Sequence, residues 1–339
     1  MEKIIYLFGA GASYGTRECD QNGKNIIGHI TRGLPVVNEL ECAIDYYLAQ
    51  FSCHISFPGD SHESKFPKLV EELSWLRDKC KEYPTIDTYA KQLSVTGKFE
   101  ELTRLKNALS AFFSLIQKPN NRDLRYDGFV ASLIDNNGRL PNNIAVLSWN
   151  YDCQFEYVLN DFSGFDSEVT RVWLNNNFGS KKLVLSQDFE RCAFYKVNGT
   201  ALFSSVNNHR IFVDTQDFDP SYAEKVLSDN NNAWDNNMSF AWEEETNMTE
   251  TISKMVKDGT VLVVIGYSFP YVNRRIDKLI VNGMPKLKHI YIQDISAIDV
   301  QQSLVSIFNS DNLAKMKSHN LKIDCKDSVK QFLIPRELE

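Results

Sequence analysis

The stretch IIYLFGAGAS, residues 4–13, decides the fold that this sequence predicts. Its apolar first half is followed at once by a run of glycine, alanine and serine. A short apolar run that ends in a glycine turn is typical of a buried parallel strand opening onto a helix. Small residues let the backbone approach a phosphate closely, and the N–H groups at the helix start then face the anion. Taken alone, the turn is also compatible with a plain strand–helix connection or with another class of dinucleotide enzyme.

The rest of the chain predicts an alternation of strands and helices. Between residues 38 and 136 the apolar residues recur mostly at helical spacing. Short apolar runs at 144–147, 194–197, 261–265 and 289–292 predict further strands. This order predicts an α/β fold, with a Rossmann-like, mostly parallel, doubly wound sheet and a helical insertion domain. We expect residues 1–37 and 137–339 to form the Rossmann-like domain and residues 38–136 the helical insertion subdomain.

Composition and charge argue against several classes of protein. The net charge of −7 disfavours direct binding of nucleic acid. The cysteines are scattered without a Cys-x-x-Cys motif and the histidines show no metal-ligand spacing, so we expect no zinc or other metal site. Scattered cysteines are typical of reduced thiols, which predicts a cytoplasmic protein. No segment approaches the ~18 apolar residues that span a bilayer, so we expect no membrane contact.

A second cluster of polar residues follows the predicted strand at 144–147. Asn150 and Asp152 lie there, within the sequence SWNYD at 148–152. In open α/β sheets, ligands bind outside the carboxyl ends of the strands, so both side chains are expected where a cofactor would lie. Because Asn and Asp are also favoured N-caps, either residue could instead only begin the next helix.

A third motif is the glycine turn GYSFP at 266–270, directly after the predicted strand at 261–265. A turn of this kind can donate hydrogen bonds to phosphate or ribose oxygens, and Asn273 follows it closely. The alternative is another plain connection, in which Arg274 and Asp277 form a surface ion pair on the next helix.

Two further strand ends carry single polar candidates. Asn198 ends the run at 194–197 and Asp294 follows the run at 289–292. An acid at the second position commonly accepts a hydrogen bond from a ribose hydroxyl. Asp294 is equally compatible with a cap for the next helix.

Taken in order, these motifs resemble those of the sirtuin superfamily over nearly the full length of the chain. Residues 9–13 resemble the family's Gly-Ala-Gly-x-Ser loop, and Pro35 resembles the start of its flexible cofactor loop. The sequence WNYD at 149–152 is similar to its Gln-Asn-x-Asp motif, and GYS at 266–268 to its Gly-Thr-Ser turn. The segments PTIDT at 84–88 and GYSFP at 266–270 look like those of bacterial sirtuin-like proteins of anti-phage defence.

The resemblance implies an NAD-binding protein and assigns roles to individual residues. It implies a catalytic set of Asn150, Asp152 and Asn198. It implies that the cofactor is bound by Gly9, Ala10, Gly11, Ala12, Ser13, Pro35, Gly266, Tyr267, Ser268, Asn273 and Asp294.

This chain departs from the family at two places. The zinc cysteines of the deacylase sirtuins are absent, which predicts no zinc and makes a protein deacylase an unfavoured alternative. Asn198 stands where the family has a histidine that acts as general base. Asn cannot accept a proton near neutral pH, and general-base help is commonly worth ~10²–10⁴ in rate.

The resemblance implies a sirtuin-like NAD glycohydrolase that cleaves NAD to nicotinamide and ADP-ribose, in anti-phage defence by NAD depletion. An enzyme that destroys NAD harms its own cell, so gating by homo-oligomerisation or by a partner, such as a ring ATPase, is expected by analogy. The alternative is a non-catalytic sensor or scaffold subunit of a defence complex that binds NAD or ADP-ribose, which Asn198 favours.

Overall fold

The fold is described by a computed structural model. It describes residues 2–52, 65–118, 121–136, 140–163, 193–205, 218–229, 234–240, 242–243 and 248–338. The described strands are β1 (Ile4–Phe8), β2 (Thr16–Cys19), β3 (Asn25–Arg32), β4 (Ile144–Ser148), β5 (Ala193–Lys196), β6 (Gly199–Ser205), β7 (Trp234–Met238), β8 (Val261–Ile265), β9 (His289–Gln293) and β10 (Lys322–Lys326). The described α-helices are α1 (Leu40–Ser52), α2 (Pro67–Glu82), α3 (Ile86–Val95), α4 (Phe99–Ile116), α5 (Leu124–Leu133), α6 (Gln154–Ser163), α7 (Pro220–Leu227), α8 (Met248–Val256), α9 (Arg274–Asn282), α10 (Ala297–Val305) and α11 (Ser310–Lys317).

A six-stranded sheet forms the centre of the molecule, in the order β10-β9-β8-β1-β4-β5. All neighbouring strands in it are parallel. The chain builds outward from β1 through β4 to β5, then returns to β8 on the other side of β1 and continues to β9 and β10. This is a doubly wound strand order, and its reversal point, where ligands bind in such folds, lies between β1 and β8. The predicted α/β fold with a Rossmann-like parallel sheet is therefore confirmed.

Both faces of the sheet are covered because side chains alternate along each strand. Ile5 and Leu7 pack on one face against the helices α8, α9 and α10. Ile4, Tyr6 and Phe8 pack on the other face against α5 and α6. Every residue of β1 is buried, as a continuous apolar run predicts for a central parallel strand.

A separate apolar core joins α1, α2, α3 and α4. This core also contains residues from beyond the predicted insertion, including Phe203 on β6 and Met238 on β7. In contrast, α5 packs in the sheet core through Tyr126 and Phe129. The helical layer is therefore built from two separate stretches of chain, and the division at residues 37 and 137 stays a prediction.

One further strand of the central sheet, β10, is absent from the sequence-based prediction. Its residues alternate between exposed and half-buried, and only Ile323 and Cys325 pack against the core. Such a short run is too polar to stand out as a buried strand. Among the described helices, none combines the length and the apolar character needed to cross a bilayer.

Candidate functional site

A cleft lies at the carboxyl ends of β1, β4, β5 and β8. Part of its lining follows these strand ends, and we call this part the sheet wall: Ala10, Ser13, Trp149, Asn150, Tyr151, Asp152, Asn198, Gly266, Tyr267, Ser268, Pro270 and Asn273. The rest comes from α1, α3, α4 and the segment before α1, and we call it the helical wall: Leu34, Pro35, Val36, Val37, Leu40, Ile86, Asp87, Leu109 and Phe113.

The two glycine turns of the sheet wall lock into each other through their backbones. The Gly9 N–H donates to the Ile265 carbonyl at 3.0 Å, and the Gly11 N–H donates to the Gly266 carbonyl at 2.9 Å. A Cβ on Gly266 would lie 2.4 Å from the Gly11 carbonyl carbon, and the φ of Gly266 is +61°. Only glycine fits such a contact. The strand ends at the reversal point are therefore held at one fixed spacing.

The first glycine turn continues as a single 3-10 turn, Ala10–Ser13. The Ala12 N–H donates to the Gly9 carbonyl, and Gly11 is already paired with Gly266. Within the described part of the chain, the Ala10 N–H has no acceptor and Ala10 lines the cleft. An open N–H at the start of a helical turn suits an anionic oxygen.

Asn150 ties the end of β4 to the first glycine turn. Its side-chain amide donates to the Gly9 carbonyl at 2.9 Å and to the Ser13 hydroxyl at 3.0 Å. Ser13 also pairs with the buried Tyr126 hydroxyl at 3.0 Å. Asn150 does not cap α6, so its side chain is fixed at the cleft surface by the glycine turn rather than by the following helix.

Asp152 lies above a buried ion pair that the sequence-based prediction missed. One Asp152 carboxylate oxygen accepts from the Gln154 N–H at 3.0 Å, as a capping residue would. The Lys196 ammonium donates to the Asp152 carbonyl and lies 3.1 Å from the Glu156 carboxylate, and both of these side chains are almost fully buried. Burial raises the pKa of Glu156 against the effect of Lys196. Burial lowers the pKa of Lys196, but the charges of Glu156, Cys153 and Asp152 outweigh it and raise that pKa overall.

Asn198 places an unpaired acceptor in the cleft. Its side-chain amide donates to the Trp149 carbonyl at 3.0 Å. Its Oδ1 atom is buried and has no hydrogen-bond partner among the described residues, and the same holds for the Trp149 Nε1 and the Tyr151 hydroxyl. Buried polar groups are normally paired, so these atoms have the capacity to bind a polar ligand in the cleft.

The second glycine turn is braced by a buried acid. The Tyr267 hydroxyl donates to Asp277 at 2.9 Å and accepts from the Asn273 amide at 3.1 Å. The Tyr267 ring stacks on Trp149 with centroids 5.3 Å apart. Burial raises the pKa of Asp277 well above its usual value. Because Asp277 is fully buried, the alternative of a surface ion pair with Arg274 is excluded.

A buried ion pair fixes the segment of the helical wall that contains Pro35. The Arg17 guanidinium lies 2.6 Å from the Glu39 carboxylate, and the Arg17 side chain is fully buried. Arg17 also donates to the carbonyl oxygens of Tyr14 and Leu34, at 2.6 and 2.8 Å. The Val36 N–H donates to Glu39 at 3.2 Å. We call this arrangement the Arg17–Glu39 clasp, and it holds the segment 34–37 against the first glycine turn.

The helical wall contributes one ionisable residue, Asp87, in the first turn of α3. Burial raises the pKa of Asp87 to about 6. Burial, with smaller contributions from Asp87 and Glu243, raises the pKa of the neighbouring Tyr151 well above its usual value. The cleft lining therefore carries the two carboxyl groups of Asp87 and Asp152, with aromatic rings around them and no Lys or Arg among the described lining residues.

Most of the residues singled out from the sequence meet at this cleft. Ala10, Ser13, Pro35, Asn150, Asp152, Asn198, Gly266, Tyr267, Ser268 and Asn273 all line it. Gly9, Gly11 and Ala12 are not part of the lining and instead shape the turn behind it. Asp294 is also not part of the lining, and its carboxylate accepts from the Ser296 N–H at 2.9 Å, before α10.

Comparison with known proteins finds no family model and no curated protein that matches this chain. Among the described residues, no group of three or more His, Cys, Asp or Glu side chains is arranged to hold a metal ion.

Proposed function

We propose that this protein is a sirtuin-like NAD glycohydrolase, which cleaves NAD to nicotinamide and ADP-ribose. The observation that carries the proposal is the chemistry of the cleft at the sheet's reversal point. Its lining combines Asp87 and Asp152 with aromatic rings and carries no cation among the described residues. Such a lining favours a flat, positively charged ring and the oxocarbenium-like centre that forms when the ring leaves.

In this proposal, the negatively charged pyrophosphate of NAD binds at the two glycine turns. The open Ala10 N–H and the exposed Ser268 turn are the donors available there. Pyrophosphate binding by small-residue turns and helix starts needs no basic side chain. The remaining predicted binding residues, Pro35, Tyr267 and Asn273, shape the adjoining surface.

Asn150, Asp152 and Asn198 provide the polar groups for the nicotinamide ribose. In this proposal, the Asn150 carbonyl oxygen orients the attacking water or the ribose, because its amide is already committed to Gly9 and Ser13. The unpaired Asn198 Oδ1 accepts from a ribose hydroxyl. The Asp152 carboxylate stabilises the positive charge that develops on the ribose.

The resemblance to bacterial sirtuin-like defence proteins supplies the biological side of the proposal. It implies a protein without zinc that acts in anti-phage defence by NAD depletion, and the scattered cysteines favour the cytoplasm. Gating by homo-oligomerisation or by a partner such as a ring ATPase belongs to the same analogy.

A second candidate is a sensor or scaffold subunit that binds NAD or ADP-ribose without turning it over. One observation favours it: Asn198 cannot act as a base, and its amide is held by the Trp149 carbonyl. Both candidates need the same cleft and differ only in the chemical step.

Nicotinamide release from NAD by the purified protein, followed by chromatography, tests the proposal. We expect release by the wild type and a loss of at least ~10²-fold in Asn150→Ala, because the water and ribose lose their orienting group. Asn312→Ala is the matched control, since Asn312 is also buried but donates to the Val281 carbonyl, outside the cleft lining. Binding of NAD without release, with and without candidate partners, would contradict the enzyme and favour the sensor.

Asn198→His tests whether the missing histidine limits the chemistry. We expect the variant to release nicotinamide faster than the wild type, because an imidazole at this position can accept a proton. An unchanged rate would show that the missing histidine does not limit the chemistry.

A further inference from the structure

Asp87 is the one ionisable residue that the helical wall places in the described cleft. It lies in the first turn of α3, where the helix dipole stabilises a negatively charged side chain. The helix start does not depend on it, because the Thr85 hydroxyl already accepts from the Thr88 N–H. Among the described residues, no cation contributes to the pKa of Asp87, which is affected only by burial and by a hydrogen bond from its own backbone N–H. Its carboxylate is thus exposed only to the cleft environment.

The groups that face Asp87 across the cleft are neutral or acidic. Tyr151 and Tyr267 belong to the sheet wall, and burial raises the pKa of both hydroxyls well above the usual value, so both stay neutral. Asp152 is the other carboxylate of the lining. Behind these residues lie Glu243, beside Tyr151, and Asp277, bonded to Tyr267. With no cation to oppose the effect of burial, the pKa of Asp87 is raised to about 6.

The carboxylate on the sheet wall, that of Asp152, is already hydrogen-bonded within its own strand end. One Asp152 carboxylate oxygen accepts from the Gln154 N–H, and the Asp152 carbonyl accepts from Lys196. Asn198 has no titratable group. Of the two carboxylates in the cleft lining, only that of Asp87 accepts no hydrogen bond from another described residue.

We propose that Asp87 is the general base of this site and takes over the proton-accepting role that Asn198 cannot fill. The proposal rests on the proposed NAD hydrolysis. A water oxygen attacks the anomeric carbon of the nicotinamide ribose as the glycosidic C–N bond breaks. The electron pair of that bond moves to the pyridinium nitrogen, and nicotinamide leaves as a neutral molecule. The water proton moves to the Asp87 carboxylate, which later releases it to solvent, and ADP-ribose remains.

The proposal makes catalysis depend on contact between the two walls. The phosphates and ribose are bound by residues that follow the strands, whereas the base comes from α3 in the helical core. Any movement of the helical core relative to the sheet changes the distance between base and ribose. Gating of the enzyme would then act on the chemical step without altering the phosphate site.

Nicotinamide release by the full-length wild type and by Asp87→Asn, measured between pH 5 and 8.5, tests the role. We expect the wild-type rate to fall below pH ~6 as Asp87 is protonated. We expect Asp87→Asn to lower the rate ~10²–10⁴-fold and to lose this acid limb, while NAD binding in calorimetry stays within about threefold. The control is Asp311→Asn, which removes an exposed acid at the same position in the first turn of α11.

Thermal unfolding gives a second readout that does not depend on activity. Because burial raises the pKa of Asp87, the native state binds this proton more tightly than the unfolded state does. The ionised carboxylate therefore lowers stability as pH rises from about 4 to about 6, and the loss persists above that range. We expect Asp87→Asn to raise the melting temperature at pH 7.5 and to leave it unchanged at pH 4.

The outcomes separate this inference from the proposed function. Wild-type release with an unchanged rate and pH profile in Asp87→Asn would overturn the general base and leave the hydrolase intact. A wild type that binds NAD and releases nothing would overturn both. A lower melting temperature for Asp87→Asn at pH 7.5 would also contradict the inference, because it would show that the carboxylate stabilises the fold.

Discussion

The two walls of the cleft are built in different ways. The sheet wall places backbone atoms and short polar side chains at fixed points, because Gly9, Gly11 and Gly266 hold the strand ends together. The helical wall is made mostly of apolar side chains from separate segments, and its position depends on a core shared with β6, α7 and β7. The difference indicates that the sheet wall tolerates almost no change in backbone, whereas the position of the helical wall depends on side-chain packing and on the Arg17–Glu39 clasp.

Gly266→Ala is the strongest test of the sheet wall and has the largest expected effect. The new Cβ would meet the Gly11 backbone at 2.4 Å, and a backbone atom cannot rotate away. We expect the free energy of unfolding to fall by at least about 4 kcal/mol, measured by urea denaturation. Gly23→Ala is the control, since Gly23 also has a positive φ but nothing within 4 Å of its Cβ position. It should cost only about 1–2 kcal/mol, the strain of the left-handed backbone. Equal effects of the two substitutions would contradict the interlocked turns.

Arg17→Met tests the clasp that joins the two walls. It leaves the buried Glu39 carboxylate without its partner, and we expect a loss of about 3 kcal/mol in the free energy of unfolding. Cleavage of the segment 34–37 by a protease should become faster, because the clasp also holds the Leu34 carbonyl. Lys254→Met breaks an exposed pair with Glu250 and should leave the urea midpoint of unfolding essentially unchanged. If the two variants unfold at the same urea concentration, the clasp is not what fixes this segment.

Thr85→Ala tests the helical wall, and its expected effect is the smallest of the three. It removes the cap of α3, and we expect a loss of about 1 kcal/mol together with fraying of the turn that carries Asp87. The nicotinamide release rate should fall more than NAD binding does. Asn309→Ala removes the cap of α11, at the Asn312 N–H, and provides a control of similar stability cost. Equal losses of activity in both variants would contradict a specific role for the α3 turn.

The same difference between the walls explains what the sequence could predict. The glycine turns and the polar residues after β4 and β5 are short motifs next to apolar strands, so their placement at one sheet edge follows from strand polarity alone. The helical wall joins Leu34, Ile86 and Leu109, which are far apart in the sequence and meet only through tertiary packing. No local pattern predicts such contacts.

The ionisable residues of the site show the same limit. Asn150 and Asp152 are recognised by their position after a strand. The buried pair of Lys196 and Glu156 is not, because neither the lysine nor the glutamate differs in sequence from a surface residue. Asp87 has a weak signal, an acid in the first turn of a capped helix, but its placement in the cleft depends on how the helical core packs.

The crystal structure of Asp87→Asn grown with NAD tests the central claim most directly, because slow turnover should leave the substrate in place. We predict the pyrophosphate against Ala10 and Ser268 and the nicotinamide ribose between Asn150, Asn198 and residue 87. If the variant still turns NAD over, ADP-ribose should occupy the same phosphate site. A dinucleotide bound away from the glycine turns, or an empty cleft at saturating NAD, would contradict the account.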